Sequence, residues 1–154
     1  MLSQTPFNAT ASTPPPFAAR RLEEAGLGIG YRVLELGCLR EKSSKRETRM
    51  LGILQFITSV VWKMLFGNAA KDAVTLEKSV EHEDEFMIGE KSPVVSTYIS
   101  SAPCSCNAFV AGIVRGVLES AQFPARVTAI EDDSRTVLLI KFAPEVLERE
   151  QRLA

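Results

Sequence analysis

The chain has 154 residues, enough for one domain with its own hydrophobic core. Hydrophobic residues make up 45% and charged residues 24%, the balance of a globular protein rather than of a disordered or membrane-spanning one. The formal net charge of −1 implies no overall electrostatic attraction to nucleic acid or to anionic membranes. The three cysteines, an odd number in a chain whose N-terminus has no signal-peptide core, favour reduced thiols in the cytoplasm.

Residues 1–16 contain four prolines among small polar residues, which predicts a disordered tail before a single domain at 17–154. A short helix is expected at 17–25. The three glycines at 26–30 lack the remaining positions of a dinucleotide-binding loop and predict a loop or a weak helix. Helical spacing resumes at 31–39.

The most apolar segment is 44–67, and the rest of the chain is expected to pack around it. Ser44 and Glu47 have the spacing of a capping box, and Gly67 favours a helix end, so a helix is predicted between them. Apart from one polar stripe this helix is apolar on all sides, which suits a protein interior shared with a partner subunit. A membrane span is the less favoured alternative, because the apolar run is shorter than roughly 20 residues and contains Lys63.

The segment 40–49, just before and within the start of this helix, is locally basic. A solvated turn between helices is one interpretation. A contact with an acidic surface or with phospholipid headgroups is the other.

An acidic segment follows the central helix at 68–85, beginning with a helical turn around Val74 and Leu76. It holds His82, the only histidine. A metal site would need further His or Cys ligands, so an exposed loop histidine is the simpler interpretation.

A second helix is predicted at 106–122, with a polar stripe that includes Arg115. Gly112 and Gly116 on this helix lower its propensity, which indicates close approach by the backbone of another element. A short charged helix closes the chain at 145–153.

Strands are predicted as two hairpins. The first covers 86–100, with its returning strand at 94–99, and the second joins 125–130 to 137–142. Strands joined by short turns are antiparallel. The sequence therefore predicts an α+β fold, in which a four-stranded antiparallel sheet is packed on one face by several helices.

No catalytic motif is found, and no catalytic, metal-binding or cofactor-binding residue is assigned. The pair Cys104 and Cys106 lacks accompanying histidines and is a weak metal or redox candidate. Since aromatic side chains anchor many interfaces, Trp62 and Phe66 are candidate subunit-interface residues, together with Arg115. Core packing is the alternative role for the two aromatic residues.

A family resemblance is spread over several elements in one order. Its segments are RET at 46–48, LG at 51–52, VWK at 61–63, LFG at 65–67, TYIS at 97–100, AGIV at 111–114, VL at 117–118, FPA at 123–125 and IKF at 140–142. They resemble the small core subunits of the transport protein particle (TRAPP) family from Leu22 to the C-terminus.

This resemblance implies a non-catalytic scaffold subunit of a complex that tethers vesicles in endoplasmic-reticulum-to-Golgi transport. The assembled core is implied to promote guanine-nucleotide exchange on an early-secretory Rab GTPase. The implied partners are the acyl-binding core subunit, as a heterodimer partner, and the sedlin-type subunit. The implied location is cytoplasmic, peripheral at endoplasmic reticulum and cis-Golgi membranes, with no cofactor and no nucleic acid.

The chain departs from the family pattern in two places. The long first helix of the family is expected to be missing before Leu22, and the loop at 101–105 is shorter. Cys38 does not align with the modified cysteine of the acyl-binding relative, so lipidation is not transferred to it. An acyl- or lipid-binding module with a channel lined by the apolar helices stays open as the alternative function.

Overall fold

The computed structural model describes residues 17–42, 45–94, 105–132 and 134–154. Its helices, in chain order, are α1 (Phe17–Arg40), α2 (Met50–Phe56), a π-helical segment (Ile57–Val61), α3 (Trp62–Phe66), α4 (Asn68–Ala73), α5 (Asn107–Ser120) and α6 (Pro144–Leu153). Its strands are β1 (Val74–Lys78), β2 (Glu85–Glu90), β3 (Ala125–Glu131) and β4 (Thr136–Phe142). The predicted disordered tail lies outside the described residues.

Helix α1 is continuous through the glycines at which a loop or weak helix was predicted. That loop prediction is wrong, because Gly26 and Gly30 face α5 instead of solvent. A Cβ on Gly26 would meet the carbonyl oxygen of Phe109, and one on Gly30 would lie 2.8 Å from the Cα of Gly116. Tight backbone packing between α1 and α5 therefore offsets the helix propensity that each glycine loses.

The predicted central helix is present as α2, the π segment and α3, with Gly67 ending it at φ 89°. The buried side is apolar throughout, and it includes Ile53, Leu54, Ile57, Val61 and Trp62. The π segment coincides with hydroxyls that bond back to carbonyls of the preceding turn. Ser59 Oγ donates to the carbonyl of Gln55, and Thr58 Oγ1 lies within hydrogen-bonding distance of the Leu54 and Gln55 carbonyls.

The predicted start of this helix is displaced. Glu47 lies outside the helix, which begins at Met50 without a side-chain cap from Arg49, and Ser44 is outside the described residues. Instead, Glu150 of α6 accepts a hydrogen bond from the backbone N–H of Met50 at 3.1 Å. A distant carboxylate therefore supplies the cap that a local capping box was expected to supply.

The four strands form one antiparallel sheet in the order β1-β2-β4-β3, which confirms the predicted fold class. The first hairpin differs from the prediction. Strand β1 takes the place of the expected helical turn around Val74 and Leu76, and it pairs with β2. Because β4 occupies the other side of β2, the predicted return strand at 94–99 has no free side of β2 to pair with. Most of that segment, from residue 95 onward, lies outside the described residues.

The core lies between the sheet and the helices. Phe86, Ile88 and Ile140 of the sheet are buried in one cluster with side chains of the central helix and of α5. The rings of Phe86, Phe142 and Phe123 follow one another edge to face, with centroid distances of 5.8 and 6.4 Å.

Candidate interaction surface

The aromatic candidate Trp62 is a core residue of this chain, with a relative exposure of 1%. Phe66 is half-buried and packs edge to face on Trp62, with ring centroids 5.5 Å apart. Trp62 therefore has the core position that was the alternative role for the two aromatic residues. Phe66 retains a partly accessible ring, and its role at an interface stays a prediction.

Arg115, the third candidate, joins α1 to α5. Its guanidinium contacts Glu23 of α1 and Glu119 of α5, each at 2.9 Å. Glu119 also accepts a hydrogen bond of 2.8 Å from the hydroxyl of Tyr31, and this bond raises the pKa of Tyr31. The Arg115 side chain is 38% exposed, so the network lies at the surface where a partner can contact it. An interface role for Arg115 stays a prediction.

An apolar stripe on the outer side of α1 was not found from the sequence. Ile29, Leu36 and Leu39 are 37%, 42% and 75% exposed, whereas ordinary core-facing residues of a helix are covered. The stripe continues with alternating spacings of four and three, the spacing of a coiled-coil interface. Its members, in order, are Ala18, Leu22, Ala25, Ile29, Arg32, Leu36 and Leu39, of which Arg32 is the one charged residue, and we call them the α1 outer stripe.

The spacing of this stripe was visible in the sequence. The stripe was nevertheless not recognised, because the glycines at 26–30 were interpreted as an interruption. The residues on either side of them were therefore not combined into one periodic pattern. The central helix, by contrast, has one strongly exposed large apolar side chain in the described part, Leu51 at 49%.

A cavity of about 550 Å³ is lined by the C-terminal part of α1, the central helix and the end of α5. Its apolar wall includes Leu34, Phe56 and Val60, and the thiol-bearing residue Cys38 also lines it. Charged residues line the same cavity: Glu41, Lys45, Arg46 and Glu47. The cavity is therefore amphipathic, with room for an apolar group and with both signs of charge around it.

The buried carboxyl of Glu90 is a second feature that the sequence did not indicate. Glu90 is 8% exposed, and burial raises its pKa. The indole N–H of Trp62 lowers the pKa of Glu90 in part, although among the described residues neither Trp62 Nε1 nor Glu90 Oε1 has a partner in hydrogen-bonding geometry. A buried carboxyl at the end of β2 with one unpartnered oxygen is costly to ionise, and this cost is the cause of the raised pKa.

The remaining reactive residue types do not converge on a site in the described part of the chain. Cys38 and Cys106 are free thiols, and Cys104 lies outside the described residues. His82 is exposed in the turn between β1 and β2. Across residues 17–42, 45–94, 105–132 and 134–154, no group of three or more His, Cys, Asp or Glu is placed to hold a metal ion. The helices within these ranges include none with the length and apolar content of a membrane span.

The family of transport protein particle (TRAPP) components matches residues 6–143 of the chain. The chain belongs to the TRAPP family. Trafficking protein particle complex subunit 5 of Dictyostelium discoideum is 53% identical over 140 residues, covering 84% of this chain and 74% of that protein. The human subunit 5 is 42% identical over 137 residues, covering 86% of this chain and 71% of that protein.

More distant TRAPP relatives are also similar. Subunit 31 of Saccharomyces cerevisiae is 40% identical over 114 residues, covering 71% of this chain and 39% of that protein. A solved structure of subunit 3 from Naegleria fowleri, covalently bound to palmitic acid, superposes with a TM-score of 0.69 at 16% identity, covering 82% of this chain and 80% of that one. At this identity the superposition supports the TRAPP fold alone.

Proposed function

We propose that this chain is a non-catalytic scaffold subunit of the TRAPP vesicle-tethering complex in endoplasmic-reticulum-to-Golgi transport. In this role it supports the guanine-nucleotide exchange of the assembled core on an early-secretory Rab GTPase. The complex would hold it in the cytoplasm, peripheral at endoplasmic reticulum and cis-Golgi membranes. Membership of the TRAPP family supports the proposal, as does the similarity to subunit 5.

The single observation that carries the scaffold role is the α1 outer stripe. Leu36 and Leu39 are exposed on a helix whose adjacent face, at Gly26 and Gly30, is already buried against α5. Exposed apolar residues at coiled-coil spacing are stabilised when a helix of a partner covers them. The partner we propose is the acyl-binding core subunit, in a heterodimer, with the sedlin-type subunit as a further neighbour.

Co-purification tests this assembly. A tagged chain is expected to bring down the other TRAPP core subunits, and Ile29→Glu with Leu36→Glu is expected to abolish this, because two buried carboxylates would be unpaired. Val80→Glu is the matched control, since Val80 is 102% exposed in the β1–β2 turn, away from the stripe. A wild-type chain that brings down no TRAPP subunit, or a stripe variant that assembles normally, would contradict the scaffold proposal.

The same assay examines the other interface candidates. Phe66→Ala and Arg115→Ala are expected to weaken assembly if these side chains contact a partner. The thermal unfolding midpoint of each variant is also measured, because Phe66 packs on Trp62 and Arg115 contacts Glu23. This measurement separates a lost interface contact from a loss of stability. Exchange on the Rab by complex reconstituted with the stripe variant is expected to fall with the loss of assembly, whereas alanine at Cys38 and Cys106 leaves exchange unchanged.

The cavity beside Cys38 favours a second candidate, an acyl- or lipid-binding module. A volume of about 550 Å³ behind an apolar wall has room for a hydrocarbon chain. The Naegleria fowleri subunit 3 is covalently bound to palmitic acid. Native mass spectrometry of the chain would then record an added lipid mass, and denaturing conditions would retain that mass only for a covalent attachment. Detection of the bare polypeptide in both conditions would argue against this function.

A further inference from the structure

We propose that four described cations on either side of residues 43–44, near the end of α1 and before the start of α2, form a docking surface for anionic lipid headgroups. Its cations are Arg40, Lys42, Lys45 and Arg46, and we call them the basic segment. The proposal rests on the peripheral membrane association proposed above and adds the surface that makes the contact.

The cations of the basic segment form no ion pair within the described part of the chain. Its four side chains belong to exposed residues, and no carboxylate of the described ranges forms an ion pair with them. Arg49, the next cation, is different, because Glu150 neutralises it at 2.9 Å. Glu41 and Glu47 lie among the four cations and leave an excess of two positive charges. These cations are therefore available to an external anion.

Exposed leucines lie close to Arg49, which follows the basic segment by three residues. Arg49 donates a hydrogen bond to the carbonyl of Leu153, so the C-terminal end of α6 lies beside the start of α2. Leu153 is 48% exposed, and Leu51, in the first turn of α2, is 49% exposed. Arg152, whose long contact of 3.9 Å with Glu148 is exposed to solvent, adds a cation with a side chain that is 81% exposed. Leucines interspersed with lysines and arginines are typical of surfaces that lie in a membrane interface.

This combination favours a bilayer over an acidic protein as the partner. Headgroups attract the cations, and the boundary of the acyl region accepts the leucines. The chain as a whole is nearly neutral, so the attraction is confined to this end of the molecule instead of acting on the whole surface.

The experiment is vesicle sedimentation with the purified full-length chain. Vesicles of phosphatidylcholine with about one third phosphatidylserine are compared with phosphatidylcholine alone, and binding is expected with the anionic vesicles only. Lys45→Gln with Arg46→Gln is expected to lower the partition coefficient about tenfold or more, since each cation near an anionic surface contributes about fivefold. Binding is also expected to fall as salt is raised from about 0.05 to about 0.5 M.

The matched control removes two adjacent cations at the other end of α1, by Arg20→Gln with Arg21→Gln, and is expected to leave the partition coefficient unchanged. Absence of binding, equal binding to neutral vesicles, or an equal loss in the control variant would overturn the proposal. A chain that binds an acidic polypeptide such as polyglutamate but not the anionic vesicles would also overturn it.

Co-purification with TRAPP subunits is measured on the same variants. The Lys45→Gln and Arg46→Gln variant is expected to assemble normally, which separates loss of membrane docking from loss of the scaffold role. Circular dichroism checks that its helices are retained.

Discussion

Gly30 of α1 lies against Gly116 of α5 so closely that a Cβ on either residue would come within 3 Å of the Cα of the other, at 2.8 and 2.9 Å. No real Cβ is accommodated at that distance without a shift of backbone. The two helices can approach in this way because both residues lack side chains. This contact fixes which side of α1 faces the domain, and hence which side is left for a partner.

Gly30→Ala is expected to lower the free energy of unfolding by about 2–3 kcal/mol or more, because the added methyl group forces α1 away from α5. Urea unfolding monitored by circular dichroism measures this. The control is Gly28→Ala, whose Cβ would meet no atom within 4 Å. At this exposed helical position alanine is expected to raise stability by about 0.5–1 kcal/mol. Equal effects of the two substitutions would contradict the packing described for α1.

Glu150→Ala is expected to destabilise the chain by about 1–2 kcal/mol, since the backbone N–H of Met50 loses its cap and Arg49 loses its ion pair. Glu148→Ala, on the same helix, removes a contact with Arg152 that is 3.9 Å long and exposed, and is expected to cost less than about 0.5 kcal/mol. The midpoints of thermal unfolding compare the two. A Glu150 variant no less stable than the Glu148 variant would show that the distant cap is unimportant.

Gln122→Gly is expected to stabilise the chain. Gln122 adopts φ 67° after the end of α5, where the N–H of Phe123 bonds to the carbonyl of Leu118 at 2.8 Å. This is the Schellman arrangement, in which glycine avoids the strain of the left-handed conformation. After allowance for the greater freedom of glycine in the unfolded chain, a gain of about 0.5–1 kcal/mol is expected. Gln122→Ala keeps a Cβ at this position and serves as the control, with no gain expected.

Glu90→Gln is expected to change how stability depends on pH. Burial raises the folded-state pKa of Glu90 above its unfolded value. The neutral carboxyl therefore favours folding below the unfolded pKa, and this contribution is lost as pH rises through the folded pKa. Glutamine does not ionise, so the variant is expected to lack that loss. Urea unfolding at pH about 4.5 and about 8 tests this, and parallel pH profiles for wild type and variant would contradict it.

Some helices and strands were predicted from the sequence more accurately than others. Strands β3 and β4 and helix α5 were predicted almost to their ends, because their apolar residues recur at the period of the element itself. Strand β1 was missed although its apolar and polar residues alternate from Val74 to Glu77, because five residues are too few to distinguish a strand from a helical turn. Its pairing is visible only once β2 is placed beside it.

The interface candidates from the sequence differ in their accessibility. Arg115 and Phe66 are accessible as an interface requires, but Trp62 is not. The sequence shows that Trp62 belongs to an apolar helix, whereas its burial depends on how the sheet and α5 cover that helix. The α1 outer stripe became apparent when Gly26 and Gly30 proved to be helical.

The amino-acid sequence alone determined the α+β class, the central helix that ends at Gly67, and the family resemblance, because each is encoded in local periodicity or in short segments. The tertiary structure decided the direction that α1 faces, the burial of Trp62 and the cap on Met50. Each of these depends on groups about 30 to 100 residues apart in the chain, such as Glu150 and Met50 at a separation of 100. Such contacts leave no local pattern, since only folding brings the two groups together.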